Sequence, residues 1–160
     1  AEGEVSEYLC NVPITNYGIA KDLLRKHLNN LNIEYNFIFQ WIRIFYAYDK
    51  TGKSGNNIVY YLRKAIESNH STFDMTYGQK ELDFIEINDI SQNVKKILMQ
   101  DEIRGVINCC SGKPQTTLTL VNKCLKDWDK QIKLNKGYLK YREFEPDHQY
   151  GSINKLNSIL

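Results

Sequence analysis

Two residue types that can move a proton stand one helical turn apart near the start of the chain. In "NYGIAKDLL", residues 16 to 24, Tyr17 precedes Lys21 by four positions. Residues i and i+4 share a helix face, so the two side chains are predicted to lie side by side. A phenol has an ordinary pKa of about 10, and a neighbouring lysine cation favours the phenolate form. The spacing predicts either an acid–base pair or an ordinary amphipathic helix that carries a tyrosine.

Other motifs that could bind a ligand are weaker. "KTGKS" would need a glycine five residues before its Gly-Lys-Ser to be a phosphate loop, and that position is Ala47. The sequence therefore predicts a surface turn there. His27, His70 and His148 are scattered, and none has a carboxylate or a second histidine at metal-ligand spacing on a helix. We predict no metal site.

Composition places the chain among soluble globular domains. It has 160 residues, of which 42% are hydrophobic and 25% charged. The net charge of +2 is too small to argue for nucleic acid or an anionic membrane as partner, and no apolar run approaches the roughly 20 residues that span a bilayer. Buried, reduced thiols and a cytoplasmic location are predicted from the four cysteines, Cys10, Cys109, Cys110 and Cys124.

Helical and strand patterns alternate along the chain. A helix after Pro13 is predicted from a stripe of apolar residues, which core packing or a helix–helix dimer interface would explain: Ala20, Leu23, Leu24, Leu28 and Leu31. Residues 36–48 have the composition of a buried strand, and a polar loop and a helix follow. Further strands are predicted at 72–76, 82–87 and 105–112, and further helices at 90–100, with Asn88 or Asp89 as cap, and at 115–128. A strand, a turn and a short helix close the chain, and the alternation indicates α/β layers.

Five segments resemble one family in its order along the chain. "PITNYGIAKDLL" resembles the P-x-x-x-Y-G-x-x-K segment of the extended short-chain dehydrogenases/reductases, the nucleotide-sugar epimerase/dehydratase/reductase family. The other four are "WIRIFYAYDKTGKSGNNIVYYLRKAI", "FDMTYGQKELDFIEINDISQNV", which resembles a family hairpin and helix, "GVINCCSGKPQTTLTLV" and "FEPDHQYGSINKLNSIL". The resemblance implies the C-terminal part of a Rossmann-type, doubly wound parallel sheet, with its catalytic helix, over residues 1–50. Residues 51–160 are then mainly a small α/β substrate-binding region, with strand segments that return to the core.

The resemblance also implies roles for individual residues. Tyr17 would be the catalytic acid/base, and Lys21 would support its ionisation and bind the nicotinamide ribose of NAD or NADP. Phe45 would pass the nicotinamide and contact it through its backbone. Contacts to a nucleotide-sugar substrate would come from Tyr46, Asn56 and Asn57.

Three positions depart from the pattern of that family. Leu82 stands where an arginine commonly holds the nucleotide diphosphate, which predicts weaker phosphate binding unless Lys80 or Arg104 substitutes. Asp49 replaces a glycine, and Ser152 replaces an acidic residue near the final helix.

The expected function is hydride transfer between NAD(P) and a hexose carbon of a nucleotide sugar. Reduction of a 4-keto-6-deoxy sugar nucleotide for surface polysaccharides is the first choice, and epimerisation or dehydration is the alternative. The family's glycine-rich cofactor loop and its catalytic serine or threonine would lie before this chain. We therefore expect pairing with that N-terminal half, or a homodimer; a decayed fragment that cannot hold cofactor is the competing interpretation.

Overall fold

Helices and short strands alternate in the computed structural model, which describes residues 2–9 and 12–159. The helices are α1 (Asn16–Tyr35), α2 (Ile58–Glu67), α3 (Ile87–Leu98), α4 (Thr117–Asp127) and α5 (Asn154–Asn157). The strands are β1 (Gly3–Val5), β2 (Gln40–Ile44), β3 (Tyr46–Tyr48), β4 (Thr72–Met75), β5 (Glu81–Leu82), β6 (Phe84–Glu86), β7 (Gly105–Cys109), β8 (Gln115–Thr116), β9 (Lys133–Lys136) and β10 (His148–Gly151).

Most strand pairs are parallel, and parallel pairing requires crossover connections between the strands. β10 lies between β1 and β5, and β5 also pairs with β8 in the antiparallel direction. β2 pairs with β7, β3 with β6 and β4 with β9, all in parallel. The α/β layering predicted from the sequence is therefore present.

The segment predicted as one strand, residues 36–48, is two strands, because the chain changes partner at Phe45. The Phe45 N–H still donates to Cys109 O on β7, at 3.2 Å. The next N–H, of Tyr46, donates to Asp83 O beside β6, at 3.1 Å. This change of partner carries the chain from the β7 side to the start of the candidate site.

A buried carboxylate joins three of these strand ends. Asp83, between β5 and β6, is fully buried. Its oxygens accept hydrogen bonds from the N–H and hydroxyl of Ser111 (2.7 and 2.6 Å), from Gly112 N–H (2.9 Å) and from Gly151 N–H (3.0 Å). The donors follow β7 and end β10, so one side chain fixes the relative positions of β6, β7 and β10.

The main apolar core lies between α2, α4 and strands β3 to β6. Val59, Leu62, Leu120 and Val121 are fully buried in it. A smaller cluster joins α3, β7 and α5 through Ile97, Ile107, Leu156 and Ile159. Both helices that flank the candidate site, α2 and α4, are thus anchored by their inner faces.

The apolar stripe predicted after Pro13 lies on α1 and does not belong to either core cluster of the described residues. α1 has no buried residue, and Leu23 and Leu24 are 61% and 45% exposed. A 20-residue helix with this composition normally gains its stability from packing. Leu28 and Leu31 are partly buried, so the described residues cover only part of the stripe. The apolar period therefore predicts the helix but not a core position for it.

Two local predictions also differ from the structure. The strands on either side of Gly78 do not form a hairpin, since β4 pairs with β9 and β6 with β3. The cap of α3 is Glu86, whose carboxylate accepts from the Asn88 N–H at 2.8 Å, so the helix begins earlier than Asn88 or Asp89. The tail contains two strands, β9 and β10, where one was expected.

The described cysteines are free thiols in buried positions, as predicted. Burial raises the pKa of Cys110 to about 12 and that of Cys124 to about 11, so both stay protonated at neutral pH. Cys109 is buried too, and Cys10 lies outside the described residues. Among the described helices, none has the length and apolar character needed to cross a membrane.

Candidate functional site

A cavity of about 390 Å³ lies between β3, the start of α2 and the segment of residues 137–147, which we call the arm segment. Tyr46, Asn56 and Asn57 all line it. These are the three residues that the sequence predicted to contact a nucleotide sugar, and the structure brings them to one place. Its volume is in the range of small-molecule sites.

Tyr46 gives the cavity an aromatic wall. Its ring is half-buried and lies 5.8 Å, centroid to centroid, from the ring of Phe84, which also lines the cavity. Burial, and then the nearby Glu145 carboxylate, raise the pKa of Tyr46 above its usual value. The hydroxyl therefore stays protonated at neutral pH and can donate a hydrogen bond to a ligand.

Asn57 is the N-cap of α2. Its side-chain oxygen accepts from Val59 N–H (3.1 Å) and Tyr60 N–H (3.2 Å), and its amide nitrogen donates to Ala47 O (3.2 Å). Capping of this kind is preferred for Asn because it satisfies free N–H groups of the first helical turn. Asn57 thus has a structural role beside any ligand contact, and its second amide proton is what remains for a ligand.

The loop before Asn56 is organised by Asp49, one of the departures from the family pattern. Asp49 is 6% exposed, and its carboxylate accepts from the N–H and hydroxyl of Thr51 (2.8 and 2.7 Å) and of Ser54 (3.1 and 2.9 Å). A glycine would leave these four donors without this acceptor. The substitution therefore fits a loop that is held by side-chain hydrogen bonds.

The same contacts predict a dependence of stability on pH. Burial alone would raise the pKa of Asp49, but the hydrogen bonds from Thr51 and Ser54 outweigh it and lower the pKa from 3.8 to about 2. Because the folded pKa is the lower one, the stabilisation is complete above about pH 5 and is lost as the pH falls through 4 towards 2. It amounts to about 2 kcal/mol at neutral pH.

Urea unfolding of the wild type and of Asp49→Asn at pH 7, 4 and 2.5 tests this. The difference in unfolding free energy between the two proteins should be largest at pH 7 and shrink towards pH 2.5. A difference that does not change with pH would contradict the assignment.

Two cations of the arm segment face the cavity, and the sequence analysis missed both. Lys140 and Arg142 line it, together with the acidic Glu145 of the same segment. An arginine fork beside an aromatic wall is suited to phosphate oxygens. The basic stretch "KGYLKYREF" is the sequence signal for these cations, although the local pattern of the tail predicts only a strand, a turn and a short helix.

The two substitutes considered for the absent arginine do not line the cavity. The Lys80 ammonium donates to Glu145 O and lies 3.3 Å from an Asp147 carboxylate oxygen. The Arg104 guanidinium donates to Asp101 O at 2.6 Å. Leu82, which stands at the arginine position, is 3% exposed and lies between the core and the cavity. Among the described residues that line the cavity, the cationic side chains are therefore those of the arm segment, Lys140 and Arg142.

Tyr17 and Lys21 lie side by side on the first turns of α1, as the spacing predicted. The Lys21 nitrogen is 5.7 Å from the centroid of the Tyr17 ring, and the ring is 75% exposed. Thr15 caps the helix, and its hydroxyl accepts from Gly18 N–H at 3.1 Å. Neither Tyr17 nor Lys21 is among the residues that line the cavity, so the described residues hold two separate parts of a site.

Phe45 lies between these two parts in the sequence, at the point where β2 gives way to β3. Its ring packs against Gly151: a Cβ at Gly151 would come within 2.8 Å of Phe45 Cζ and 2.5 Å of Cys110 Sγ. Its N–H is used by Cys109 O. A cofactor contact through the backbone of Phe45 could therefore use only its carbonyl oxygen.

Among the described residues, no group of three or more histidine, cysteine, aspartate or glutamate side chains is placed to hold a metal ion.

Comparison with known proteins shows which of them resemble this chain. The chain is 31% identical over 147 residues to a dTDP-6-deoxy-L-talose 4-dehydrogenase (NAD(+)) of Aggregatibacter actinomycetemcomitans; the match covers 90% of this chain and 50% of the relative. No family model matches the chain. The chain thus spans about half the length of the curated relative that it matches.

Solved structures agree on the fold. The UDP-glucuronic acid 4-epimerase of Bacillus cereus, solved with UDP-glucuronic acid and NAD, matches with a TM-score of 0.82 at 24% identity; this covers 100% of our chain and 51% of the epimerase. RMD from Pseudomonas aeruginosa, complexed with NADPH, matches with a TM-score of 0.78 at 16% identity, over 98% of our chain and 52% of RMD.

The mixed α/β fold therefore matches the C-terminal part of Rossmann-type structures, as predicted in the sequence analysis. The resemblance to the C-terminal half of the extended short-chain dehydrogenases/reductases that modify nucleotide sugars is confirmed.

Proposed function

We propose that the chain is the catalytic-helix and substrate-binding half of an NAD(P)-dependent nucleotide-sugar oxidoreductase. The observation that carries this is the cavity, where Tyr46, Asn56 and Asn57 meet Lys140 and Arg142. Its aromatic wall suits a base or sugar face, and its two cations suit a diphosphate.

Within that class we favour reduction of a 4-keto-6-deoxy sugar nucleotide, in the making of sugars for surface polysaccharides. The name of the relative from Aggregatibacter supports this, because it specifies a 4-dehydrogenase of a 6-deoxy sugar linked to dTDP. Sugar-nucleotide epimerisation or dehydration is the alternative, and several of the similar solved structures are named as 4-epimerases. We also propose a cytoplasmic location, which suits the three buried free thiols.

Tyr17 and Lys21 are suited to the proton transfer. The Tyr17 hydroxyl would give a proton to the sugar oxygen during reduction, or take one during oxidation. The Lys21 ammonium, 5.7 Å from the centroid of the Tyr17 ring, can donate a hydrogen bond to the ribose of the cofactor. NAD or NADP, when bound, supplies or accepts the hydride. Both side chains are open to approach by such a ligand.

We propose that residues 1–50 complete a cofactor-binding core with a separate N-terminal half, and that residues 51–160 mainly bind the substrate. The exposed side of α1 supports this, because Ile19, Leu23 and Leu24 are each more than 40% exposed. An exposed apolar helix face is normally covered by another part of the fold or by a partner. A homodimer through α1 would cover it as well. An inactive fragment without cofactor binding is the competing proposal, favoured by the same exposed face.

Equilibrium titration of the chain with dTDP tests the substrate half of this proposal. We expect saturable binding, and Arg142→Met should raise the Kd about tenfold to a hundredfold because a charged hydrogen-bond donor is lost. Arg104→Met is the matched control, since its guanidinium bonds Asp101 O and does not line the cavity. Absence of saturable binding, or equal losses in both variants, would contradict the proposed site.

A further inference from the structure

The arm segment carries the cations of the cavity, but it has little regular structure of its own. Between β9, which ends at Lys136, and β10, which begins at His148, the chain crosses 11 residues without a helix or strand. Leu139, Lys140 and Arg142 of this stretch line the cavity. If Lys140 and Arg142 are to contact a ligand in a fixed geometry, other residues must hold the arm segment in place.

Lys80 makes several contacts that can hold the arm segment in place. Although it is a lysine next to β5, its side chain is only 12% exposed. Its ammonium donates to Glu145 O, lies 3.3 Å from Asp147 Oδ1 and stands 4.9 Å from the centroid of the Tyr141 ring. A lysine is rarely buried without partners, and here all three partners belong to the arm segment.

Backbone contacts from the same region support the attachment. The Gln79 N–H donates to the Tyr141 hydroxyl at 2.9 Å, and the Leu139 N–H donates to Met75 O at 3.3 Å. Tyr141 is thus held by an N–H at its hydroxyl and by the Lys80 cation at its ring. The three points of attachment bracket Lys140 and Arg142 on both sides.

We infer that Lys80 is a positioning residue: it fixes the arm segment across the cavity and thereby orients Arg142 and Lys140 toward an anionic ligand. The inference rests on the proposed function for the identity of that ligand, a nucleoside diphosphate. The positioning role also explains why Lys80 stands two residues before Leu82 without lining the cavity. The Lys80 ammonium fixes the positions of Lys140 and Arg142, which replace the absent arginine.

Binding of dTDP and of thymidine by the wild type, Lys80→Met, Lys80→Arg and Lys95→Met tests the inference. The Kd for dTDP should rise about tenfold in Lys80→Met, since oriented charged donors are lost. The Kd for thymidine, which has no phosphate, should change by less than about twofold. Lys80→Arg should restore most of the dTDP affinity, and Lys95→Met, an exposed lysine on α3, should match the wild type.

Hydrogen exchange separates this inference from the proposed function. In Lys80→Met the amides of residues 137–147, Leu139 among them, should exchange faster, while those of α2 and α4 keep their protection. If the wild type binds no dTDP, the proposed function fails, and exchange alone decides whether Lys80 holds the segment. Unchanged exchange in the segment, unchanged dTDP affinity, or an equal loss of dTDP and thymidine would overturn the inference.

Discussion

Replacing Tyr17 by phenylalanine is expected to lower kcat of the complete enzyme about a hundredfold or more, because proton transfer by a positioned side chain contributes about 10²–10⁴. The change removes only the hydroxyl oxygen from a ring that is 75% exposed. The stability of this chain should be unaffected, since α1 buries none of its described residues. The measurement is steady-state NADPH oxidation with a keto-sugar nucleotide, together with thermal unfolding of each protein.

Tyr35→Phe is the matched control for that prediction. Tyr35 ends the same helix and is 68% exposed, so the substitution removes a comparable hydroxyl far along α1 from Lys21. The control should retain the activity of the wild type. Equal activity of Tyr17→Phe and Tyr35→Phe would contradict the role of Tyr17 in proton transfer.

The largest loss of stability is expected for Asp83→Asn. Asp83 is fully buried and accepts four hydrogen bonds from Ser111, Gly112 and Gly151. An amide nitrogen in place of one oxygen would face donors, and buried donors without an acceptor are costly. We expect a loss of about 3 kcal/mol in the free energy of unfolding, measured by urea denaturation at pH 7.

Asp101→Asn provides the comparison for this change. Asp101 is exposed, in the loop before β7, so removal of its charge should shift the free energy of unfolding by less than about 0.5 kcal/mol. A loss at Asp83 as small as that at Asp101 would show that the carboxylate does not hold the strand ends together. Asp83 also adjoins Leu82 and Phe84, which line the cavity. The same experiment therefore measures how much Asp83 stabilises the strands that carry the cavity wall.

Much of the fold could be predicted from local patterns. The helices α1, α2 and α4 followed from apolar periodicity. Features that depend on distant partners could not be predicted in this way. Strand 36–48 divides because Phe45 and Tyr46 bond to different strands, which no local pattern encodes.

The residues of the candidate site also divide into those that a local pattern predicts and those that it does not. Tyr17 and Lys21 followed from a spacing of four, because the helix itself sets their distance. Tyr46, Asn56 and Asn57 came from the resemblance to a family, and the structure gathers them at one cavity. The cations of the arm segment escaped notice because a segment without periodic structure gives no sign of where its side chains point.

The exposure of α1 could not be predicted for a similar reason. Its apolar positions repeat as they would on a packed helix, but a periodic pattern does not identify the surface that covers it. The chain spans half the length of its curated relative. We therefore expect the covering surface to come from another half of the fold or from a second copy.

The most direct test of the central claim is the transfer of deuterium from nicotinamide-deuterated NADPH to a 4-keto-6-deoxy dTDP-sugar. The protein expressed from its complete coding frame is the catalyst, and mass spectrometry of the sugar is the readout. We predict one deuterium in the product sugar and one NADP formed for each product molecule. An unlabelled sugar with no consumption of NADPH would contradict a nucleotide-sugar reductase. In a parallel incubation with a 4-hydroxy dTDP-sugar, interconversion of its two C4 epimers without net consumption of cofactor would assign the chain to the epimerases.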